Sequence, residues 1–440
     1  MSHTNNYLFN PNNASLSVCQ PLDEHNDSEI SITRHTQAII NRIQSSTIDA
    51  FSTIETQPAA LSETSTRKAF TTLPLKGMCF AVKEVIDAQG YVCNLGCQAF
   101  TGRVPMLDAD IVQQLQQLGA QLVGITRSTE MAIAKETNTV NPWHSGHTPG
   151  GSSSGSAAAV GAGLVPFALG TQTIGSIIRP AAYCGAVGFK PSKGIGSLTG
   201  VLNLSKTLDH LGYFADSLDR LTATLNQLYP NTFTDKKAQP FKVLFLKPWF
   251  GMDDEYTWQA RKAHIKKQLK NHAIDYCEAS LDQTVTAQEE QVTQSILCYE
   301  MYQQWGDTLF NNKDTSEYLQ SFLIKGQGIT KQAYQQSLKA RAEMGALVDT
   351  WLNDHDIIIF PSVTGLPPKL GDGTGSRDTQ RLWTLLGMPA INLPIGFEQG
   401  FPTNVQLIAK RGQDQQLLAV AAQLYSCITA TQADTKDDHV

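Results

Sequence analysis

The chain has 440 residues, of which 41% are hydrophobic and 17% charged, and its formal net charge at pH 7 is −6. This mild acidity excludes a general nucleic-acid binder, which would carry a strongly basic surface. No uninterrupted apolar run reaches the ~18 residues that a transmembrane helix needs, and residues 1–27 lack the basic and apolar regions of a signal peptide. We therefore expect a soluble, cytoplasmic protein that binds neither membranes nor nucleic acid.

The eight cysteines contain no Cys-x-x-Cys pair, so they fit neither a zinc site nor a redox motif, and reduced thiols are expected. His144 and His147 are too isolated from acidic or cysteine residues to indicate a metal pair. We expect neither a metal nor a cofactor.

Residues 1–60 are predicted to form a polar tail, to about residue 28, followed by a helix over 30–52 with apolar residues at helical spacing. The rest, residues 61–430, is predicted to be one domain. Apolar runs predict strands at 78–82, 121–125, 242–246, 357–360 and 391–395. Helical periodicity predicts helices at 108–118, 217–228 and 413–423, and a helical insertion over one side of the sheet at 255–352. This alternation predicts an α/β fold, with a mixed, mostly parallel sheet flanked by helices on both faces.

The segment 144–192 differs from the rest of the chain in its small residues. Ser152, Ser153 and Ser154 lie between Gly150-Gly151 and Gly155, and an Ala/Gly-rich stretch and an apolar run follow. Glycine allows the backbone to approach a ligand closely, and amides in such turns can bind an anion. The segment thus presents polar groups from a compact, largely apolar unit, as the floor of an active site would.

Four blocks in this order resemble the amidase signature family of serine amidohydrolases, and the resemblance extends over roughly residues 60–425. The blocks are Leu75–Asp87, Gly150–Ser156, Gly175-Ser176 and Cys184–Pro191. A single Gly/Ser loop would be weak evidence, but several blocks in register are specific.

Amide cleavage needs a nucleophile, a base and donors for the oxyanion. Ser176, in a glycine-flanked turn, is the candidate nucleophile, and none of the four blocks contains a histidine that could serve as base. Lys83 can serve instead if burial lowers its pKa, and its position at the end of an apolar run favours burial. The candidate oxyanion donors are the backbone amides of the turn, Thr173, Ile174, Gly175 and Ser176.

The resemblance implies a Ser-cisSer-Lys triad formed by Ser176, Ser152 and Lys83. It also implies a cis peptide bond after Gly151, with Ser152 relaying a proton and Ser153 supporting it by a hydrogen bond. The expected activity is hydrolysis of a small-molecule carboxylic amide to an acid and ammonia or an amine, through an acyl-enzyme on Ser176. Whether the chain works alone or as a homodimer stays open.

Three residues depart from the family pattern. Gln172 stands where many members have aspartate, Ile174 where they have glycine, and Arg179 lies three residues after the nucleophile instead of two. None of these changes removes a member of the triad, but all bear on which amide is accepted.

Alternatives remain. Within the family, the chain could be a glutaminase like the one in glutamyl-tRNA amidotransferase, which works inside a heteromeric complex, and a catalytically silent binding protein is a third class. Gly151–Gly155 also fits the G-x-S-x-G nucleophile elbow, with Ser153 as nucleophile. The elbow needs a buried strand directly before it, and residues 146–150 are too rich in glycine and proline for one.

Overall fold

The computed structural model describes residues 29–56, 72–133, 136–234 and 240–429. The polar tail predicted for residues 1–28 lies outside the described residues. Eleven strands form one sheet in the order β1-β3-β2-β4-β6-β5-β10-β11-β9-β7-β8. The strands are Phe51–Ile54 (β1), Cys79–Lys83 (β2), Gln121–Thr126 (β3), Phe167–Gln172 (β4), Val187–Lys190 (β5), His210–Ala215 (β6), Val243–Lys247 (β7), Tyr276–Ser280 (β8), Ile357–Phe360 (β9), Ala390–Glu398 (β10) and Phe401–Ala409 (β11).

Helices flank this sheet. They are Glu29–Gln44 (α1), Asp110–Gln117 (α2), Ser154–Gly161 (α3), Ile178–Cys184 (α4), Leu218–Leu228 (α5), Glu255–Asn271 (α6), Gln283–Thr286 (α7), Glu289–Leu309 (α8), Glu317–Gln327 (α9), Lys331–Trp351 (α10), Asp378–Leu385 (α11) and Asp414–Thr429 (α12). None of the helices in the described ranges is both long and apolar enough to cross a membrane.

The sheet is mixed, as predicted, but its parallel pairs are confined to two places. The strands β3, β2 and β4 pair in parallel, and so do β9, β7 and β8. Every pairing from β4 through β6, β5, β10 and β11 to β9 is antiparallel. The sheet is therefore not mostly parallel. One reason is the two-residue turn at Gln399 and Gly400, both with positive φ, because a turn this short can join β10 to β11 only in antiparallel fashion.

The predicted strands at 78–82, 121–125, 357–360 and 391–395 are confirmed as β2, β3, β9 and β10. The helix predicted over 30–52 ends earlier, at Gln44. Asp49 has a φ of 53°, which is incompatible with a continuing helix. The chain then turns into β1, which pairs antiparallel with β3 at the edge of the sheet.

The segment 255–352 is largely helical, as predicted, and contains α6 to α10. It also contributes the edge strand β8, which the sequence does not reveal. Four of the five residues of β8 are exposed, so no alternation of apolar and polar residues marks the strand.

Helix α3 consists of small residues because it is packed on all sides. All its residues from Ser154 to Val160 are buried. Ser156 Oγ donates to Leu169 O of β4 at 2.9 Å and lies 2.6 Å from Thr126 Oγ1 of β3. The helix is thus bound directly to the strands beneath it. A Cβ on Gly161 would lie 2.2 Å from Cys184 O of α4, so α3 and α4 approach each other backbone to backbone.

Substituting Gly161→Ala should therefore destabilise the protein, because the new methyl group would overlap a backbone oxygen that cannot move aside. We expect a loss of about 1–3 kcal/mol of unfolding free energy, seen as a lower urea midpoint by circular dichroism. Gly251→Ala is the matched control, since a Cβ there meets nothing within 4 Å. Equal midpoints for both variants would contradict the close packing of α3 on α4.

Candidate active site

The parallel pairing of β2 with β4 brings Lys83 and Thr171 together. Lys83 is the last residue of β2 and Thr171 lies near the end of β4, and parallel strands end at the same edge. Lys83 Nζ lies 2.9 Å from Thr171 Oγ1. The lysine side chain is fully buried, as its position after an apolar run predicted.

Burial sets the protonation of Lys83. It lowers the pKa of the amine to about 7, and the negative charge of Asp209 opposes this shift only in part. Lys83 Nζ also lies 2.8 Å from Ser152 Oγ. A neutral amine can donate to the Thr171 hydroxyl and keep its lone pair for the Ser152 proton, so the pair is arranged as a base and its first proton donor.

Two glycines place Ser152 beside this amine. Gly150 and Gly151 have φ values of 78° and 62°, and a Cβ on them would lie 2.4 Å from Tyr183 and 2.7 Å from Pro180. The described residues contain no cis peptide bond, so the one expected after Gly151 is absent. The two glycines in the left-handed region turn the chain there instead.

Ser152 is also in contact with Ser176. Its backbone N–H donates to Ser176 Oγ at 3.1 Å, so one residue touches Lys83 through its hydroxyl and Ser176 through its amide. Among the described residues, no hydrogen bond joins the hydroxyl of Ser152 to that of Ser176. The structure thus brings Lys83, Ser152 and Ser176 together as one cluster.

Gln172 holds the turn that carries Ser176 through hydrogen bonds of its side-chain amide. Its Oε1 accepts from the amides of Ile177 at 2.7 Å and Ile178 at 3.2 Å. Its Nε2 donates to Thr384 Oγ1 at 2.8 Å, and that hydroxyl in turn donates to Ile174 O at 2.6 Å. The sequence presents Gln172 only as a departure from the family pattern, but the amide supplies both the acceptor and the donor that hold the turn.

The amides inside this turn are available to a ligand. One cavity is lined by Thr173, Ile174, Gly175 and Ser176. Within the described part of the chain, the backbone N–H groups of Ile174, Gly175 and Ser176 donate to no backbone or side-chain acceptor. Gly175 leaves room for Gln380, since a Cβ there would lie 2.6 Å from Gln380 Oε1 and the glutamine side chain would have to shift. The turn therefore has the composition of an oxyanion site.

Ser153 lies behind the cluster. It is fully buried, its hydroxyl donates to Thr171 O at 3.1 Å, and it accepts from Thr171 N at 3.4 Å. It does not line the cavity. Ser153 thus fixes the strand residue that contacts Lys83.

Asp209 is a site residue to which the sequence assigns no role, although it lies in Leu208–Gly212, a block that also resembles the family. Its Oδ1 accepts from Thr173 Oγ1 at 2.7 Å, and its Oδ2 accepts from the amides of Leu204 and Ser205 at 2.7 and 2.9 Å. Burial raises the pKa of this carboxyl, and these hydrogen bonds oppose the shift. An acidic residue directly before the buried strand β6 is the signal that could have drawn attention to it.

The cavity at this site has a volume of about 960 Å³, large enough for a small-molecule ligand. Ser152 and the Ser176 turn form part of its wall. Other walls come from residues 129–133 and 136–138, from α9 and from the loop 370–377. Within the described ranges, no three His, Cys, Asp or Glu residues are grouped so that they could hold a metal ion.

Known proteins resemble this chain over most of its length. The family model named Amidase matches residues 32–418. Amidase 1 of Oryza sativa subsp. japonica is 30% identical over 81% of this chain and 92% of its own length. A glutamyl-tRNA(Gln) amidotransferase subunit of Sulfurisphaera tokodaii is 27% identical over 80% of this chain and 84% of its own length.

Solved structures agree on the fold. The crystal structure of an amidase superposes with a TM-score of 0.75 at 24% identity, over 91% of this chain and 96% of that one. 6-Aminohexanoate cyclic dimer hydrolase superposes with a TM-score of 0.76 at 22% identity, over 91% and 94%. Fold, site and relatives define an amide-hydrolysing enzyme. The chain belongs to the amidase signature family.

Lys83 should titrate near pH 7. A second buried lysine, Lys190, whose pKa burial also lowers to about 7, donates to the backbone oxygens of Pro191 and Met388 and does not line the cavity. In carbon-13 NMR of lysine-labelled protein, we expect two signals titrating near 7, against ~10.4 for exposed lysines. Lys83→Met should remove one of the two. If the signal that disappears titrates above pH 9, the proposed neutral amine is wrong.

Proposed function

We propose that the enzyme hydrolyses a carboxylic amide through an acyl-enzyme on Ser176, with Ser152 as proton relay and Lys83 as base. The observation that carries the proposal is the position of Ser152, whose hydroxyl lies 2.8 Å from Lys83 Nζ and whose amide lies 3.1 Å from Ser176 Oγ. The lowered pKa of Lys83 supports the role of base. At neutral pH a substantial fraction of the amine is unprotonated and can accept a proton.

In acylation, the Ser152 proton passes to Lys83 Nζ, and the Ser152 oxygen takes the proton of Ser176. Ser176 Oγ then forms a bond to the amide carbon, and the carbonyl oxygen becomes an oxyanion. The free amides of Ile174, Gly175 and Ser176 receive it; one such donor is typically worth ~10²–10³ in rate. When the C–N bond breaks, Ser152 delivers its proton to the leaving nitrogen and regains one from Lys83.

Deacylation repeats the sequence with water. The relay removes a proton from water, the hydroxyl attacks the acyl carbon, and Ser176 leaves with a proton returned through Ser152. The relay requires the Ser152 hydroxyl to turn from Lys83 towards Ser176. Catalytic hydrogen bonds commonly tighten only when substrate is bound.

The surroundings of Ser153 oppose the nucleophile-elbow alternative. Its hydroxyl is fully buried and bonded to the backbone of Thr171, whereas a nucleophile must face the substrate. Ser176 lines the cavity and has the unoccupied amides beside it.

A glutaminase acting within a heteromeric complex is the second candidate, because several curated relatives are subunits of glutamyl-tRNA(Gln) amidotransferases. The two candidates differ in their need for a partner. The purified chain should release ammonia from simple amides if it works alone. Turnover of glutamine only, and only after cell extract is added, would favour the amidotransferase role.

A fluorophosphonate probe should label Ser176, because this serine alone among the described residues combines access to the cavity with adjacent oxyanion donors. Ser176→Ala should abolish labelling. Ser152→Ala should slow it by about 10²–10⁴-fold, since the proton path is cut while the nucleophile remains, and Ser153→Ala should have a smaller effect. Peptide mapping identifies the adduct. An adduct on Ser153 that persists in Ser176→Ala would refute the mechanism and favour the elbow.

Lys83→Met should lower kcat by about 10²–10⁴-fold with the fold intact, because it removes the base and keeps the length of the side chain. For the wild type, kcat/KM should rise as the pH increases through about 7, since Lys83 is protonated and inactive below that value. Lys83→Arg is the matched comparison: it keeps a long basic side chain, but a guanidinium stays protonated at neutral pH and cannot act as a base, so this variant too should be inactive. Activity of Lys83→Met within a few-fold of wild type would end the assignment.

A further inference from the structure

The wall of the active-site cavity contains a fully buried arginine without a counter-ion among the described residues. Arg179 is 2% exposed and lines the cavity. Its guanidinium donates to Gly375 O at 2.7 Å, to Ser376 O at 3.1 Å and to Thr374 Oγ1 at 3.3 Å, and its Nε has no hydrogen-bond partner in the described part of the chain. Burying a charge is costly unless an opposite charge compensates it.

A second arginine faces the same cavity. Arg377 is half-buried, and its Nη2 donates to Ile133 O at 3.4 Å and to Tyr318 Oη at 3.3 Å, both neutral acceptors. The neighbouring carboxylate of Asp378 pairs with Arg381 at 2.5 Å. Burial lowers the pKa of Arg179 to about 9, and the positive charge of Arg377 acts in the same direction, while the negative charge of Asp378 opposes the shift only in part. Two cations are therefore held close together on this wall.

The two carboxylates that the described residues place on the cavity wall form no ion pair with these arginines. Glu136 and Glu317 line the cavity. Glu136 Oε2 accepts from the amide of Gly371 at 2.8 Å, and Glu317 is exposed at the start of α9. In the part of the chain that the structure describes, neither forms an ion pair with Arg179 or Arg377.

We propose that the substrate is an amide that also bears a carboxylate, such as the half-amide of a dicarboxylic acid, and that Arg377 binds this carboxylate with Arg179 behind it. The inference rests on the proposed function, since the same cavity must present the amide to Ser176. Guanidinium matches carboxylate geometrically and can bind it in a two-pronged manner. The ligand then supplies the ion-pair partner that Glu136 and Glu317 do not provide to these arginines.

The test is a panel of amides with one cavity-wall variant. Ammonia release is measured for succinamate, glutaramate and adipamate, for the uncharged amides of equal chain length, and for the ω-amino amides. We expect kcat/KM for the best half-amide to exceed that of its uncharged counterpart by about 10–100-fold, the range for a hydrogen-bonded charge. One chain length should be preferred, because Arg377 and Ser176 are fixed relative to each other.

Arg377→Gln should reduce the ratio of kcat/KM for the half-amide to kcat/KM for the uncharged amide by about tenfold or more. Arg377→Lys keeps the charge but loses the planar fork, so its ratio should lie between those of the wild type and Arg377→Gln. Using the ratio cancels any general loss of activity or of folded enzyme. Arg34→Gln is the control, since Arg34 is an exposed arginine on α1, outside the cavity, and should keep the wild-type ratio. An unchanged ratio in Arg377→Gln, or a preference for the uncharged or ω-amino amides, would overturn the proposal.

Calorimetry separates this proposal from the proposed function. Glutarate is titrated into Ser176→Ala and into Ser176→Ala/Arg377→Gln. Binding weakened about tenfold or more in the double variant supports the carboxylate site, even if no amide on the panel is hydrolysed and the proposed function fails. Absent binding, or equal binding to both proteins, refutes the site, while hydrolysis of amides that depends on Ser176 would leave the proposed function standing.

Discussion

The burial of one lysine amine is the constraint on which the rest of the site depends. Lys83 is held at the end of a central strand, where burial keeps its pKa near 7. An exposed lysine would be protonated almost completely at neutral pH and could not accept a proton. The parallel neighbours β3 and β4, the packing of α3 and the hydroxyls of Ser152 and Thr171 together shield the amine from water while leaving it polar contacts. A neutral amine needs only such contacts, because it carries no charge that burial would penalise.

The small residues of α3 serve the same constraint. Because Ser156 bonds into the strands and Gly161 touches the backbone of α4, the helix that starts next to Ser152 and the helix that starts next to Ser176 are held as one unit. The two serines are therefore positioned by backbone packing instead of by long flexible side chains. Catalytic groups need such placement, since small displacements reduce rates strongly.

Much of the site could be predicted from sequence, because Lys83, Ser152 and Ser176 lie in short blocks whose residues and order are specific. The residues that hold these three in place could not be predicted. Gln172 and Thr384 are 212 positions apart in sequence, and Thr173 and Asp209 are 36 apart, so nothing local reveals that they meet. In the fold, buried apolar strands such as β2 and β9 were found by their composition. The exposed strand β8 and the short strand β1 lack that signal, and the antiparallel pairing of β10 with β11 depends on a turn of only two residues, Gln399 and Gly400.

Because of its two buried lysines, the folded protein also binds fewer protons than the unfolded chain over part of the pH range. Lys83 and Lys190 both have pKa values near 7 when folded, and both return to about 10.4 in the unfolded chain. Between those values the unfolded chain binds more protons than the folded one, so the free energy of unfolding rises with pH across this window and is lowest towards its acidic end. Unfolding in mildly alkaline buffer therefore consumes about two protons at these sites. The lowered pKa that suits Lys83 to its proposed role as base is in this way built into the thermodynamics of the whole fold.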